Sequence, residues 1–487
     1  MATKQRLKCL IFAVCLAAFL PHAARAAEPS RPNILFIPID DLNHWVGHLA
    51  VHPQTKTPHM DRLAKQGVSF NKAYCAAPAC NPSRIALMAG LRPSTTGCYD
   101  NAQDWRPTVS EDKLLNKTLL DSGYACFGTG KILHGSYGNS SKWTEYHKTS
   151  SGRLARHPSA PDDGVGGIKF SPLANEDRDM PDYDAVTYGI EVLNRKHDKP
   201  FFLAVGLVKP HMPFSVPKKW FDMFPLDSIQ LPPHRDGDLD DVPAAGVRMA
   251  KPEGDHAAIL KSGRWKEAVQ AYLATIAFCD SQVGRLLDAL DQSPYRDNTI
   301  VCLWSDHGWS LGEKEHWRKF ALWEEPTRTV FIWIVPGLTP AGVQSPRPVD
   351  LMNIYPTLCS LTGVEKPAHV EGLDITPLLK NPDAAWDIPA LTTFHKDNHS
   401  FRGEQWRYIR YADGSEELYD HQADPNEWTN VANDPKYSTI KAEFAKHIPA
   451  VNVPELPRSN EQSSRSPRKK NNAKGKGNNK AKAKNNE

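Results

Sequence analysis

Strand-like apolar runs that alternate with helix signals are the feature that most limits how this chain can fold. Residues 33–39 and 299–304 are nearly unbroken apolar runs, as expected of strands buried on both faces. Between them, Thr57-Pro58 and Gly67 have the residue types that begin and end a helix. Repeated over most of the chain, this alternation predicts a layered α/β domain. With 40% hydrophobic residues over 487 positions, the chain can bury such a core, which excludes a disordered, collagen-like or coiled-coil protein.

The remaining signals extend this pattern and then change it. Further strands are predicted at 124–128, 201–208 and 329–335, and further helices at 82–89, 114–121, 183–196, 265–290 and 353–361. After about residue 377, short strands are predicted at 391–395, 401–411 and 416–419, with Asp413-Gly414 as a hairpin turn and a closing helix at 435–447. The sequence therefore predicts a main domain over 27–380 and a smaller α+β subdomain over 381–455.

The first 26 residues have the pattern of a secretory signal peptide. Basic residues in 4–8 precede an apolar run over 9–20, and Ala24-Arg25-Ala26 is a small-x-small cleavage site. The apolar run is short for a membrane span, although an uncleaved anchor is the alternative. We therefore expect a secreted or periplasmic protein with no membrane span after cleavage.

The last segment, 456–487, is predicted to be a disordered basic tail. Residues 458–487 hold ten Lys or Arg against two Glu and almost no apolar residue. Such a tail is either a basic arm for polyanions or a solubilising segment without a partner. Setting aside this tail and residues 1–26 turns the net charge of +3 into about −9, so no nucleic-acid partner is expected.

Polar side chains follow two of the predicted buried strands. Asp40 and Asp41 follow the first strand, and Asp306 and His307 follow the second. In open α/β sheets ligands bind at the carboxyl ends of strands, and clustered acids repel unless a cation lies between them. Their oxygens favour Ca²⁺ or Mg²⁺, while a histidine nitrogen shifts the preference toward Mn²⁺ or Zn²⁺. The alternatives are a solvated turn for the aspartate pair and a hydrogen-bonding role outside the metal ligands for His307.

A third polar cluster carries a family resemblance. Cys80-Asn81-Pro82-Ser83-Arg84, followed by an apolar helix turn and Gly90, resembles the signature of the type I sulfatases, with Ala89 where the family usually has Thr. The resemblance extends over about residues 32–430. It implies an alkaline-phosphatase-like fold, a central mixed sheet sandwiched by helices with a smaller C-terminal α+β subdomain. It also implies that a formylglycine-generating enzyme converts Cys80 to formylglycine (3-oxoalanine).

Other motifs match the same family in order along the chain. Lys131 and His134 stand three residues apart, His211 lies in a Lys-Pro-His-Met-Pro-Phe motif, and Lys319 follows Asp306 by thirteen residues. Taken singly, these residues would be a surface charge, a turn residue and part of a charged face. Together they resemble the iduronate-2-sulfatase branch of the family.

The resemblance implies a role for each matched residue. The hydrated aldehyde at position 80 attacks sulfur and forms a sulfate hemiester, while Arg84 and Lys131 hold the hydrated aldehyde and Lys319 holds a sulfate oxygen. His211 is the acid for the leaving hydroxyl, and His134 is the base that expels sulfate. One Ca²⁺ per chain is expected on Asp40, Asp41, residue 80, Asp306 and His307.

The predicted function is hydrolysis of sulfate monoesters on a sulfated carbohydrate, with 2-O-sulfated uronate at a chain end as the expected substrate. A phosphodiester or phosphonate monoester hydrolase of the same superfamily is one alternative. A catalytically dead polysaccharide-binding protein is the other. Substrate selectivity is expected to reside in segments 139–179, 231–255 and 394–401, and Trp309, Trp317 and Trp323 are either sugar-stacking or core residues.

Overall fold

The structure is a computed structural model that describes residues 31–135, 142–150, 152–160 and 162–458. The predicted signal peptide and all but the first three residues of the predicted tail lie outside the described residues. The strands of the described part are β1 Asn33–Ile39, β2 Val68–Tyr74, β3 Ala125–Gly130, β4 Glu145–His147, β5 Gly164–Val165, β6 Ile168–Lys169, β7 Phe201–Gly206, β8 Thr299–Ser305, β9 Ser310–Leu311, β10 Trp317–Arg318, β11 Arg328–Thr329, β12 Phe331–Ile334, β13 Val343–Asp350, β14 Ala390–Thr393, β15 His399–Arg402, β16 Trp406–Arg410 and β17 Glu416–Asp420. The helices are α1 Pro58–Gln66, α2 Cys80–Ala89, α3 Pro93–Thr96, α4 Leu115–Asp121, α5 Pro181–Asn194, α6 Lys218–Phe221, α7 Ala244–Ala250, α8 Asp255–Ser262, α9 Trp265–Gln292, α10 Glu324–Thr327, α11 Ile354–Thr362, α12 Thr376–Lys380 and α13 Ser438–Ala445.

The large sheet is mixed, with a parallel centre. Strands β4, β3, β7, β1 and β8 run side by side and parallel. Strand β12 pairs antiparallel with both β8 and β2, and β13 extends the sheet parallel to β2. Strands β1 and β8 are therefore central, and both end at the same edge of the sheet.

Helices cover both faces of this sheet, as alternation along β1 requires. Leu35, Ile37 and Ile39 belong to the core cluster that includes side chains of α1, α5 and α9. Ile34 and Phe36 point to the opposite cluster, which includes side chains of α2, α4 and α11. The resulting three-layer α/β/α arrangement agrees with the predicted fold class.

A second, antiparallel sheet of β14, β15, β16 and β17 follows, also as predicted. Helix α13 packs on one face through Ile440 and Phe444, against Phe401 and Tyr408. The other face meets α7 and the 321–323 segment of the main domain. The small sheet is therefore attached to the main domain by an apolar interface.

Several elements of the described structure differ from the sequence prediction, and helices α7 and α8 were not predicted. The run predicted as one strand over 401–411 is two strands, because a turn closed by the Gly403 N–H and the Trp406 carbonyl (2.9 Å) separates β15 from β16. Strands β2 and β13 were not predicted. In β13, Pro346 and Pro348 lack the amide hydrogen that a strand signal requires, and the strand pairs irregularly with β2 at that point.

Residues 451–458 return across the main domain after α13. The Val453 N–H donates to the Ser94 carbonyl (2.9 Å), and the Leu456 N–H donates to the Gly97 carbonyl (2.8 Å). Arg458 ends the described chain in an ion pair with Asp100 (2.7 Å). In the part of the chain that the structure describes, no helix has both the length and the apolarity needed to cross a bilayer.

Candidate active site

The ends of β1 and β8 bring the predicted acidic residues together. Ile39 is paired with Ser305 in the parallel ladder, so the residues after them meet at the sheet edge. The Asp41 N–H donates to Asp306 Oδ1 at 3.1 Å. Asp40, Asp41, Asp306 and His307 are all fully buried. The residues that follow the two strands therefore meet at one edge of the sheet, as the sequence predicts.

Cys80 lies at the first turn of α2, against these strand ends. The helix begins two residues earlier than predicted, and Pro82 fits its first turn because an amide hydrogen there would have no helical partner. The Cys80 Sγ lies 2.9 Å from Lys319 Nζ and 3.4 Å from His307 Nε2. Burial raises the pKa of the thiol, but Lys131, Lys319 and His307 outweigh burial and hold that pKa well below its usual value. Position 80 is therefore built to hold an electron-rich group.

Arg84, one helical turn beyond Cys80, fixes the two strand ends relative to each other. Its Nε donates to Asp306 Oδ2 at 2.7 Å, and its Nη2 donates to Asp40 Oδ1 at 3.2 Å. Its Nη1 donates to the carbonyls of Lys131 (2.5 Å) and Ile132 (3.2 Å) in the segment after β3. One buried guanidinium therefore links β1, β8 and the end of β3.

Two lysines bring positive charge to the same point. Lys131 Nζ forms an ion pair with Asp40, and Lys319 Nζ donates to Asp41 Oδ1 at 2.6 Å. Lys319 stands between Arg318 and Phe320, whose φ angles of +77° and +80° are rare for bulky residues. Backbone strain of this kind is found where a structure fixes a functional side chain, here the buried Lys319.

Two histidines border the cluster. His211 Nε2 lies 3.8 Å from Asp41 Oδ2 and 4.0 Å from Asp40 Oδ2, and its side chain is 33% exposed. The ring is oriented by a contact of 2.5 Å between Nδ1 and the Met212 carbonyl. His134 lies near Cys80 and helps to lower the pKa of that thiol, while its buried Nδ1 has no partner among the described residues. His211 is thus the ring that an incoming molecule can reach.

The structure brings all the sequence-predicted site residues into one cluster: Asp40, Asp41, Cys80, Arg84, Lys131, His134, His211, Asp306, His307 and Lys319. The three tryptophans of the sequence analysis are core residues. Trp309, Trp317 and Trp323 are 1%, 3% and 2% exposed, which leaves no ring face for a sugar.

A pair of buried charges that the sequence analysis missed holds the His211 segment. Lys209 Nζ donates to the carbonyls of His211 (3.1 Å) and Pro213 (2.6 Å). Asp182, on α5, accepts the N–H groups of Val208 and Lys209 at 2.8 Å each. Burial lowers the pKa of Lys209 to about 8 and raises that of Asp182 to about 6. Lys209 could have been found from the sequence, because it belongs to the same motif as His211. Asp182 could not, because an acid in the first turn of a helix is common.

The donor set fits a hard divalent cation. Ligand atoms of Asp40, Cys80, Asp306 and His307 lie within 4.8 Å of one another, and so do those of Asp40, Asp41, Cys80 and His211. The buried Asp41 Oδ2 accepts no hydrogen bond in the described structure, although a buried carboxylate oxygen normally does. Burial raises the pKa of Asp306 to about 7 despite Arg84. A bound cation would satisfy the free oxygen and offset the crowded negative charge.

Two protein families match parts of this chain. Residues 32–364 match the family described as "Sulfatase", and residues 312–453 match "N-sulphoglucosamine sulphohydrolase, C-terminal". A Formosa agariphila protein called "Sulfatase" is 39% identical over 88% of this chain and 88% of its own length. The Homo sapiens protein called "Iduronate 2-sulfatase" is 29% identical over 74% of each chain. Among solved structures, one described as "BT1596, a 2-O GAG sulfatase" superposes with a TM-score of 0.67 at 23% identity, covering 86% of this chain and 91% of the other.

Proposed function

The chain belongs to the sulfatase family and is a sulfuric ester hydrolase, and from that premise we propose that it removes sulfate from a sulfated carbohydrate with Cys80, as formylglycine, at the reacting position. The observation that carries this proposal is the position of Cys80. Its side chain is completely buried between a lysine, a histidine and the acidic strand ends. A structural thiol of an apolar core would not be surrounded by charged groups.

An aldehyde at position 80, once hydrated, supplies a hydroxyl that can attack sulfur and a second one that can later be deprotonated. The surrounding cations address the charge of the substrate. Lys319 and Lys131 are held by Asp41 and Asp40, so they are positioned before an anion arrives. Arg84 is held by two carboxylates and two carbonyls and serves as a fixed donor beside position 80.

Proton transfer falls to the two histidines. His211 is the proposed acid for the departing sugar oxygen, since it combines partial exposure with a ring fixed by its Nδ1 contact. Burial lowers its pKa, but Asp41 and Asp40 outweigh burial and raise it, so the acidic form is favoured. His134, which lies near Cys80 and helps to lower the pKa of that thiol, is the proposed base that restores the aldehyde.

Calcium is the proposed metal, with Asp40, Asp41, Asp306, His307 and residue 80 as the groups that would hold it. Three clustered carboxylates, one of which leaves Asp41 Oδ2 without a hydrogen-bond donor, support this assignment over a softer ion. Bound there, the cation would neutralise negative charge on the sulfate and the nucleophile. Export through a signal peptide and oxidation of Cys80 by a formylglycine-generating enzyme complete the proposal.

The proposed substrate is a 2-O-sulfated uronate at a chain end. The support comes from the His211 and Lys131–His134 motifs and from the relative called iduronate 2-sulfatase. The test is sulfate release from a terminal 2-O-sulfated uronate disaccharide, beside a 6-O-sulfated hexosamine disaccharide. The protein must come from a host that can oxidise the cysteine, and mass spectrometry of peptide 73–84 must locate the aldehyde at Cys80 rather than Cys75.

Each outcome of this test has a definite meaning. Release of only the 2-O-sulfate supports the uronate assignment, whereas release of only the 6-O-sulfate refutes it and leaves a sulfatase of another specificity. Faster turnover of a phosphonate or phosphate diester than of every sulfate would favour the alternative hydrolase. Saccharide binding without any turnover would favour the polysaccharide-binding protein.

A further inference from the structure

A large cleft lies between the main domain and the small sheet, beside the candidate active site. Its volume is about 730 Å³, within the range of ligand-binding pockets. One wall is the end of α7 and the start of α8, and another is the segment 316–320. The opposite wall is formed by residues 394–398, and Asp100, Asn101 and Arg458 complete the rim. Two of the three segments expected to govern selectivity, 231–255 and 394–401, thus face each other across one cavity.

The wall of the cleft is continuous with the wall of the active site. Arg318 and Phe320 line the cleft, while Lys319 between them points to Cys80. The buried His316 joins two walls, since Nδ1 contacts the Ala250 carbonyl at 2.8 Å and Nε2 contacts the Lys319 carbonyl at 2.9 Å. On the rim, Asn101 Oδ1 accepts the N–H of the residue that follows Cys80, at 2.8 Å. A molecule bound at Cys80 would therefore extend into this cleft.

The cleft has an excess of positive charge that its own acids do not neutralise. Its two acids are already paired, Asp100 with Arg458 at 2.7 Å and Asp255 with Arg318 at 2.6 Å. Lys251 is exposed and has no ion pair among the described residues. Arg248 is 68% exposed, and its only described ion pair is a long one of 3.5 Å to Asp413 on the small sheet. Lys251 is thus free to bind and Arg248 is only weakly paired, in a chain body whose net charge is negative.

We infer that this cleft binds the sugar adjoining the one that loses sulfate, and that Lys251 and Arg248 recognise a carboxylate or sulfate on that second sugar. The inference rests on the proposed function and narrows its substrate to an acidic oligosaccharide. The partly exposed ring of Phe320, packed against Phe394 at 5.9 Å between centroids, offers an apolar surface for the sugar ring itself. Substrates whose second sugar is uncharged lose these contacts.

The test compares substrates that differ only in the second sugar. Sulfated disaccharides whose second unit is neutral, carboxylated or sulfated are assayed with wild type, Lys251→Ala, Arg248→Ala and the double variant. Lys261→Ala, an exposed lysine on α8 outside the cleft lining, is the matched control. A charge-assisted hydrogen bond is worth about tenfold or more, so each single variant should lower the preference for acidic over neutral disaccharides about tenfold, through KM.

The same comparison is made at equilibrium to separate this inference from the proposed function. Binding of the three disaccharides is measured in a Cys80→Ala background, which requires no turnover. If the preference for acidic disaccharides survives the double variant, or if Lys261→Ala reduces it equally, the inference is wrong. Absence of sulfate release from every disaccharide would refute the proposed function, while the equilibrium series would still decide the inference. A larger effect with the carboxylate or with the sulfate identifies the recognised group.

Discussion

Two of the buried clusters of ionised side chains in the described structure differ in how completely their polar atoms are satisfied. One is the strand-end cluster around Cys80. The other, which we call the interdomain cluster, consists of Tyr74, Glu324, Arg407, His421 and Glu427 between the main domain and the small sheet. In both, an arginine bridges two acids that are distant in the sequence.

Every carboxylate oxygen of the interdomain cluster has a donor. Glu324 accepts bonds from Tyr74 and Arg407, and Glu427 accepts bonds from Arg407, His421 and the Glu324 N–H. Burial alone would raise the pKa of Glu427, but Arg407 and His421 hold it at about 2. The acids are ligand-like in type, yet a cation would have to displace the arginine that already neutralises them.

The strand-end cluster is left incomplete. Asp41 Oδ2 lacks a donor, burial raises the pKa of Asp306 to about 7, and His211 remains partly exposed. Because a buried unsatisfied oxygen costs stability, the strand-end cluster would gain from the proposed cation, which would satisfy Asp41 Oδ2. The two clusters therefore differ in how far their acids are satisfied by the protein itself, rather than in how many acids they contain.

The largest expected effect is a loss of activity without a loss of stability, on substitution of Cys80. Cys80→Ser removes the thiol that we propose is converted to the aldehyde, so sulfate release should fall by at least about 10³-fold because the nucleophile is lost. The melting temperature should stay close to that of the wild type, since serine has nearly the same shape. Cys359→Ser, at another buried and unpaired thiol, should keep the activity. Retention of activity in Cys80→Ser would contradict the assignment.

A substitution in the interdomain cluster should instead lower stability and leave activity nearly unchanged. Arg407→Ala leaves Glu324 and Glu427 buried without their main cation, which typically costs 3–5 kcal/mol. Chemical denaturation should detect this loss, while kcat below the melting temperature changes little. Arg410→Ala, at the exposed end of the same strand, should change stability by less than about 0.5 kcal/mol. A loss of kcat in a folded Arg407→Ala protein would erase the distinction between the clusters.

Metal removal should affect only the strand-end cluster. At free Ca²⁺ 100-fold above its Kd, binding adds about 2.7 kcal/mol to the free energy of unfolding, and a chelator should remove that increment together with activity. Asp41→Asn should lose most of this calcium dependence, and Glu427→Gln should keep it. Equal melting temperatures with calcium and with chelator in the wild type would speak against a calcium site.

A buried acid outside both clusters extends the comparison to the pH dependence of stability. Asp280, on α9, accepts the N–H groups of His59 (3.1 Å) and Met60 (2.8 Å) at the start of α1, and burial raises its pKa to about 7. Because the folded pKa lies above the unfolded value of about 3.9, its stabilising contribution is complete below that value and is lost as pH rises through about 7. Asp280→Asn should remove on the order of 2 kcal/mol of the decline in unfolding free energy between pH 4 and pH 7. Parallel stability curves for variant and wild type would contradict this.

The strand-end cluster could be predicted because each half of it is visible in a short stretch of sequence. The apolar runs that become β1 and β8 end directly in acids, and the carboxyl ends of parallel strands share an edge. The cleft could not be predicted from the sequence. Its shape depends on left-handed backbone at Arg318 and Phe320 and on helix α7, for which the sequence contains no clear signal. The edge strand β13 was missed because Pro346 and Pro348 are not typical of a strand, although an edge strand tolerates their missing amide hydrogens.

The separation of β1 and β8 along the chain determines how long the site around Cys80 stays open during synthesis. Asp41 and Asp306 lie 265 residues apart, so the pocket that encloses Cys80 cannot close until β8 has been synthesised. At ribosomal rates of 5–20 residues per second, that interval is roughly 10–50 s after Asp41 itself is made. The oxidation of Cys80 that we propose would fall in this interval, because an enzyme cannot reach a side chain that is fully buried in the finished fold. The late synthesis of β8 would thus leave Cys80 accessible to that enzyme until the fold is complete.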